Sequence, residues 1–444
     1  MRLALLTAFS GLVATAAITV TVAAQAPATA PHAPPQAPMT GGGVPTFSKD
    51  VAPILYKHCT SCHRPGTVAP MSLLTYTDAR PHAKGIRNHV LDGEMPPWHA
   101  DGSVGRFANA RILSQAEKQI LATWANTGAR EGDPRDLPAP PTYTADWSIG
   151  TPDLVITMDK EHEVPAEGTI EYQYFVVPSG LSRDVWIEAM EVRSTAPEVV
   201  HHVLVFDRPP TRPTPTGAFD LPKAFETPPS RAEAPEGAGG FLLMAFASGT
   251  GPRVLPAHTA RKLAAGSLIT FQIHYNATGK PARDRTSIGL KFAAAAPTEE
   301  IRMVNFSNGA LRIPPGADNH RVDAEIGFKK PIRLWGIAPH AHLRGKAFEY
   351  RLAYPDGRTE TVLSVPRYDS AWQVEYMFER PLDVPAGTRL LATAWYDNSR
   401  NNRDNPDPTV EVVWGDQTWE EMMFNWFSYS LPDAQAPVSA PAGQ

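Results

Sequence analysis

Only two cysteines, Cys59 and Cys62, occur in the 444 residues, and His63 follows the second directly. A chain of this length has room for two to four cores. With two cysteines, none of those cores can be held by a disulfide framework, so stability must come from packing and bound metal. Cys-x-x-Cys-His is the attachment pattern of a c-type haem. Both thiols form thioethers to the porphyrin vinyls, and the histidine is placed to bind iron. A structural zinc would need four ligands where the motif offers at most three. A redox disulfide would sit in a thioredoxin-like unit, which the surrounding sequence lacks. The motif predicts one covalent haem on Cys59, Cys62 and His63.

Such attachment belongs outside the cytoplasm, and the N-terminus agrees. Residues 1–24 hold Arg2, an apolar run and a Val-Ala-Ala site ending at Ala24, the pattern of a secretory signal cleaved after about Ala24. The rival is a retained anchor, since the apolar run is near the lower length for a span. The reading is of a periplasmic or secreted protein with no stable membrane span after cleavage. Residues 25–46 are a Pro/Ala-rich disordered linker, and residues 433–444 a disordered tail. A formal charge of −5 leaves no basic footprint for nucleic acid.

The haem motif sits in a segment, 47–132, that reads as helical. Ser48 is a plausible N-cap for a helix through Val51, Ile54 and Leu55. Residues 114–129 put Ile120, Leu121, Trp124 and Ala125 on one face and stop at Gly128. The segment resembles the small cytochrome c domains in which a methionine loop closes over the haem. Met95, in Gly-Glu-Met-Pro-Pro-Trp, occupies that place, with Met71, His82, His89 and His99 as competitors. Residues 133–142 read as a linker.

From about residue 150 the texture changes to short aromatic and β-branched runs separated by turns, including Pro355-Asp356-Gly357. That spacing predicts antiparallel β-sandwiches, divided near residue 298 into 150–298 and 299–432. The Pro-rich insertion at 207–239 reads as a long surface loop.

Histidines in the β region fall into groups. His258 and His320 are isolated, and a lone strand histidine is more often a hydrogen-bonded core residue than a ligand. His340 and His342 are two apart, so on a strand they share a face and can share a metal. His201 and His202 are adjacent and would face opposite ways on a regular strand. They could bind one ion only if the strand ends or bulges there, or if the two rings use different nitrogens, and spacing alone leaves that open.

The order of the motifs adds to this. His201-His202, then Gln272-x-His274-Tyr275, then His340-x-His342-Leu343, then Glu421-Met422 resembles the copper type II, ascorbate-dependent monooxygenases. These include peptidylglycine α-hydroxylating monooxygenase and dopamine β-monooxygenase. The resemblance spans about 150–432. It implies one copper on His201, His202 and His274, storing and relaying an electron. It implies a second copper on His340, His342 and Met422, where oxygen is activated, with Gln272 also in place. Met422 is preferred to Met423 from the family's Glu-Met-x-x-Asn spacing, here Glu421 to Asn425. A thioether suits Cu(I), and imidazole suits both oxidation states. The sequence departs from the peptide-amidating enzymes at Ala338, where they carry an arginine that grips the peptide carboxylate, and at Trp426, where they carry tyrosine. Both changes argue against a peptide substrate.

The expected protein is multidomain: a small all-α cytochrome c domain followed by two antiparallel, jelly-roll-like β-sandwiches. Its expected activity is hydroxylation of a C–H bond of a small organic substrate with O2, using one covalent haem c and two coppers. An external electron donor, another exported cytochrome or a small reductant, would complete it. The alternatives are a periplasmic copper-binding or electron-transfer protein without oxygenase activity, and a scaffold for protein interactions.

Overall fold

The computed structural model describes residues 43–67, 69–143, 146–211, 219–220, 240–247 and 250–432. The expected signal peptide, the tail and nearly all of the N-terminal linker lie outside them. The chain is β-rich, with several sheets built around separate hydrophobic cores. Among the described residues no helix is long and apolar enough to cross a membrane.

Residues 47–136 are helical: α1 (Ala52–His58), α2 (Tyr76–Ala79), α3 (Ala83–Leu91) and α4 (Gln115–Asn126). They share a core of Phe47, Leu55, Leu121 and Trp124. The α4 helix starts where the sequence predicts, because Ser114 and Glu117 close a capping box. The start of the first helix differs from expectation. Ser48 is buried inside a π-helical turn, Phe47–Val51, and Thr46 stands at the cap, its N–H donating to Asp50.

The first β region has a four-stranded sheet in the order Gln173–Pro178, Leu268–Tyr275, Val200–Arg208, Phe241–Ala247. A second sheet, containing Val185–Arg193 and Ser287–Phe292, joins it in one core. The second β region repeats the plan. A four-stranded sheet runs Arg302–Ser307, Phe424–Ser430, Ile332–His340, Tyr376–Val384. A five-stranded sheet closes the same core, and the hairpin predicted at 354–358 joins Gly345–Ala353 to Thr359–Val365 in it. The boundary falls between Glu300, still paired to the first region, and Arg302.

Period-2 alternation decides how the two regions meet. Along Val200–Arg208, Val203 and Val205 enter the first core, while Leu204 and Phe206 point the other way. Along Phe424–Ser430, Phe427 enters the second core, while Phe424 and Trp426 contact the same interface. The outward faces of the two four-stranded sheets therefore pack together around Leu242, Met303 and Trp426. Arg253 reaches from the first region to Glu375 of the second, with Nη1–Oε2 at 2.9 Å and Nη2–Oε1 at 3.1 Å. Gly336 makes room for this pair, since a Cβ there would lie 2.9 Å from Glu375 Oε1.

Two parts of the chain depart from the expected linear arrangement. The insertion at 207–239 is more than a surface loop: Phe219–Asp220 pairs with His320–Phe328 of the second β region, and the Phe219 ring packs on Phe328, Phe427 and Tyr429. The helical segment also sends residues 97–109 onto the second region. Ala108 N donates to Met377 O at 2.8 Å, Glu379 N to Arg106 O at 2.8 Å, and Asp101 N to Ser364 O at 2.8 Å. Phe107 stacks on Phe378 with centroids 5.4 Å apart, and Trp98 meets Tyr376 edge-on at 5.0 Å. Gly105 permits the approach, because a Cβ there would lie 2.8 Å from Val362 O. His258 also differs from expectation. It is exposed in a turn with φ of 65°, and its carbonyl accepts from Thr298 N.

The docked segment should couple the helical part to the sandwich in unfolding. Phe107→Ala removes a half-buried ring, so it should cost about 2 kcal/mol, below the 3–5 typical of a fully buried phenylalanine. Denaturant unfolding followed by tryptophan fluorescence measures this. A loss under about 0.5 kcal/mol, the scale of surface substitutions, would show that the segment only lies on the surface.

Candidate metal centres and the cavity between them

His201, His202 and His274 converge. Each offers a ring nitrogen, and these atoms all lie within 4.8 Å of one another. The strand does bulge at this point. His202 pairs with His274, but the next pair is Val200 with Tyr275, so His201 is the extra residue. The bulge turns both adjacent imidazoles toward one point, with Nδ1 of His201 and His202 only 3.0 Å apart. His274 reaches the same point from the neighbouring strand, and the Tyr172 ring lies 5.5 Å from His202 and 5.0 Å from His274. Gln272 lies two residues before His274 and so on its face, donating to Tyr174 Oη at 2.8 Å.

Burial keeps these imidazoles neutral, the form that binds metal. It lowers the His201 pKa and pushes His274 down to about 4. His202 falls well below the ordinary range through burial, then through its neighbours His201, His274, His340 and His342. The two histidine groups are thus close enough to feel each other. His202 Nε2 is buried and has no hydrogen-bond partner among the described residues.

His340 ends its strand, and His342 follows with ring centroids 5.2 Å apart. Each Nδ1 is engaged, His340 with Gln373 Oε1 at 2.6 Å and His342 with Glu420 O at 3.3 Å. These contacts leave each Nε2 as the nitrogen for a ligand role. Burial, with His340 next, lowers His342 to about 3.

Glu421 holds this turn in place. Its carboxylate is fully buried and accepts from three backbone N–H groups, those of His342, Met422 (2.9 Å) and Arg344 (3.0 Å). Burial raises its pKa to about 7 against the opposing pull of those donors. One carboxylate thereby ties the His340–His342 turn to the segment carrying Met422. Met422 is partly buried and packs against the second core, whereas Met423 is fully buried within it. Asn425, the last residue of the same motif, accepts from Tyr350 Oη at 2.7 Å and donates to Phe306 O.

One histidine of each group lines a cavity of about 170 Å3, His202 from the first sheet and His340 from the second. Ala338 and Trp426 lie in its wall, and the docked helical segment contributes Pro97 and Trp98. Arg344 is 1% exposed and bonded to Asn398 and Trp419 O, and it is not part of the cavity wall.

Cys59 and Cys62 lie just past α1, and the N–H groups of Cys62 and His63 both donate to Cys59 O. This turn presents the three residues together. His63 Nδ1 is buried without a hydrogen-bond partner among the described residues, and its ring lies near the Met71 backbone and His82. Met95 follows α3 and is 36% exposed, while Met71 packs on the helical core. His89 bonds Glu94 at 2.5 Å, and His99 is half-buried.

The chain matches no family model and no curated protein. Among solved structures it is similar to the major capsid protein P2 from bacteriophage PM2, at 10% identity and TM-score 0.27, covering 64% of this chain and 100% of that one. It is also similar to a structure of infectious bursal disease virus Gx strain, at 11% identity and TM-score 0.19, covering 67% and 76%. At such scores neither likeness carries an argument.

The neutral histidines set a pH dependence. An unfolded histidine binds a proton below about 6.5, whereas folded His274 resists until about 4. Between those values the unfolded chain binds more protons, so stability falls as pH drops. Glu421 acts oppositely between about 4.5 and 7, so the test must be differential. In metal-free protein, His274→Asn should lose about 2 kcal/mol less than the wild type between pH 7 and pH 5. Equal losses would place a charged His274 in the fold.

Proposed function

We propose that this chain is an exported copper- and haem-dependent monooxygenase that hydroxylates a C–H bond of a small organic substrate. The carrying observation is that the clustered His201, His202 and His274 reach a cavity through His202, and that His340 lines the same cavity from the facing sheet. On this reading, two coppers would supply electron storage and oxygen activation, and a covalent haem c would supply a one-electron store. The protein's part is placement. His201, His202 and His274 form one neutral set, brought together by the bulge, and His340, His342 and Met422 form the other, held by Glu421.

The helical unit is proposed as a cytochrome c domain in which Cys59, Cys62, His63 and Met95 would hold the haem. Met95 begins the segment that runs on to Trp98 in the cavity wall, so the proposed redox unit touches the proposed hydroxylation site directly. Monooxygenation consumes two electrons per O2, so an external donor, an exported cytochrome or small reductant, is needed for continuous turnover. A periplasmic or secreted location follows from the signal pattern.

Copper analysis and isotope labelling test this. The wild type should bind two coppers per chain, and His201→Ala with His202→Ala should bind one. Reduced protein given labelled O2 and a pool of small organic molecules should place one labelled oxygen atom in a product. Two coppers without labelled product would leave an electron-transfer protein. Absence of copper binding would refute the proposal outright.

A further inference from the structure

The cavity between the sheets has a size and a chemistry of its own. Its volume of about 170 Å3 is close to that of an engineered apolar cavity, roughly 150 Å3, that admits benzene. A single six-membered ring fits such a space. Leu204, Leu242, Met244, Met303, Ala338 and Trp426 give it a mainly apolar wall.

Charge narrows the choice further. The charged groups in the wall are Arg111 and the Arg253–Glu375 pair, and the one carboxylate is already held by that arginine and by Ser428 Oγ. No negative group is left over to compensate a buried ammonium, whose desolvation is costly. Two N–H donors on lining residues, Trp98 Nε1 and Arg253 Nε, are buried and lack an acceptor in the described protein. Buried donors of this kind are rare unless something else satisfies them.

We propose that the cavity binds a neutral molecule of about one six-membered ring bearing a single acceptor oxygen, with Trp98 as the donor to that oxygen. The proposal deepens the oxygenase reading and rests on it only for the guest being a substrate. It gives the helical segment a second role. Trp98 carries specificity into a cavity otherwise made by the sandwiches, and Ala338 keeps the space open that an arginine would fill.

Binding is measured apart from turnover, so failure here and failure of the oxygenase reading are distinguishable. Cyclohexanone, cyclohexane and cyclohexylammonium are titrated into the full-length chain as isolated and followed by saturation-transfer NMR. Cyclohexanone should bind saturably, and cyclohexylammonium about tenfold or more weaker. Trp98→Phe, which keeps the ring and removes the donor, should weaken cyclohexanone about fivefold and leave cyclohexane unchanged. Ala338→Phe should abolish binding of both, with its fold checked by circular dichroism. Absence of saturable cyclohexanone binding to the wild type overturns the proposal, as does preferred binding of the ammonium. If Trp98→Phe weakens both neutral rings equally, the assignment of Trp98 as donor is wrong.

Discussion

The packing of one four-stranded sheet against the other is the constraint on which the rest depends. Each sheet has a buried inner face, and a regular strand sends alternate side chains outward. Here the outward sets are apolar near the middle, with Leu204, Phe206, Ala338 and Trp426, and carry histidines at one end, with His202 and His340. Closing the apolar patch therefore brings the histidine groups face to face across a cavity. The Arg253–Glu375 pair spans the same interface with both side chains largely buried. Removing one partner of such a pair typically costs about 3–5 kcal/mol. Separation of the two groups is thus set by core-like contacts rather than by a flexible hinge.

Within the second β region, Glu421 plays the local counterpart. A buried carboxylate is expensive unless its lone pairs are satisfied. Here three backbone N–H groups from two segments converge on it. That geometry fixes the backbone on either side of His342 and at Met422, so two remote stretches arrive at one place with little freedom left. The imidazoles stay neutral for the same reason that the carboxylate is pushed up: water is excluded. Desolvation thus favours the metal-binding form of every histidine in the cluster.

Much of this was legible in the sequence, and the rest was hidden for identifiable reasons. Alternating runs announced the strands, the apolar face at 114–129 announced a helix, and the adjacency of His201 and His202 left a bulge as one of the open possibilities, the one that the structure contains. The partners that position the ligands were not legible. Gln373, Glu420 and Tyr172 reach the histidines from distant segments and carry no motif of their own. Glu421 was read only as a marker for Met422, because nothing local reveals that a carboxylate will bond amides some eighty positions away. The docking of Trp98 and Phe107 was also invisible. Their segment has no strand pattern, and its backbone bonds are made to an edge far along the chain. Phe219 similarly lies in a Pro-rich stretch whose composition hides an aromatic ring that packs on the second core.

The most direct test of the central claim is X-ray absorption at the copper edge of the reduced, copper-loaded chain. The account predicts imidazole nitrogen around both coppers and one sulfur for every two coppers. That sulfur should vanish in Met422→Ile and persist in Met423→Ile, because Met423 is fully buried in the core. Reduced copper without a sulfur neighbour, or sulfur lost only with Met423→Ile, would contradict it.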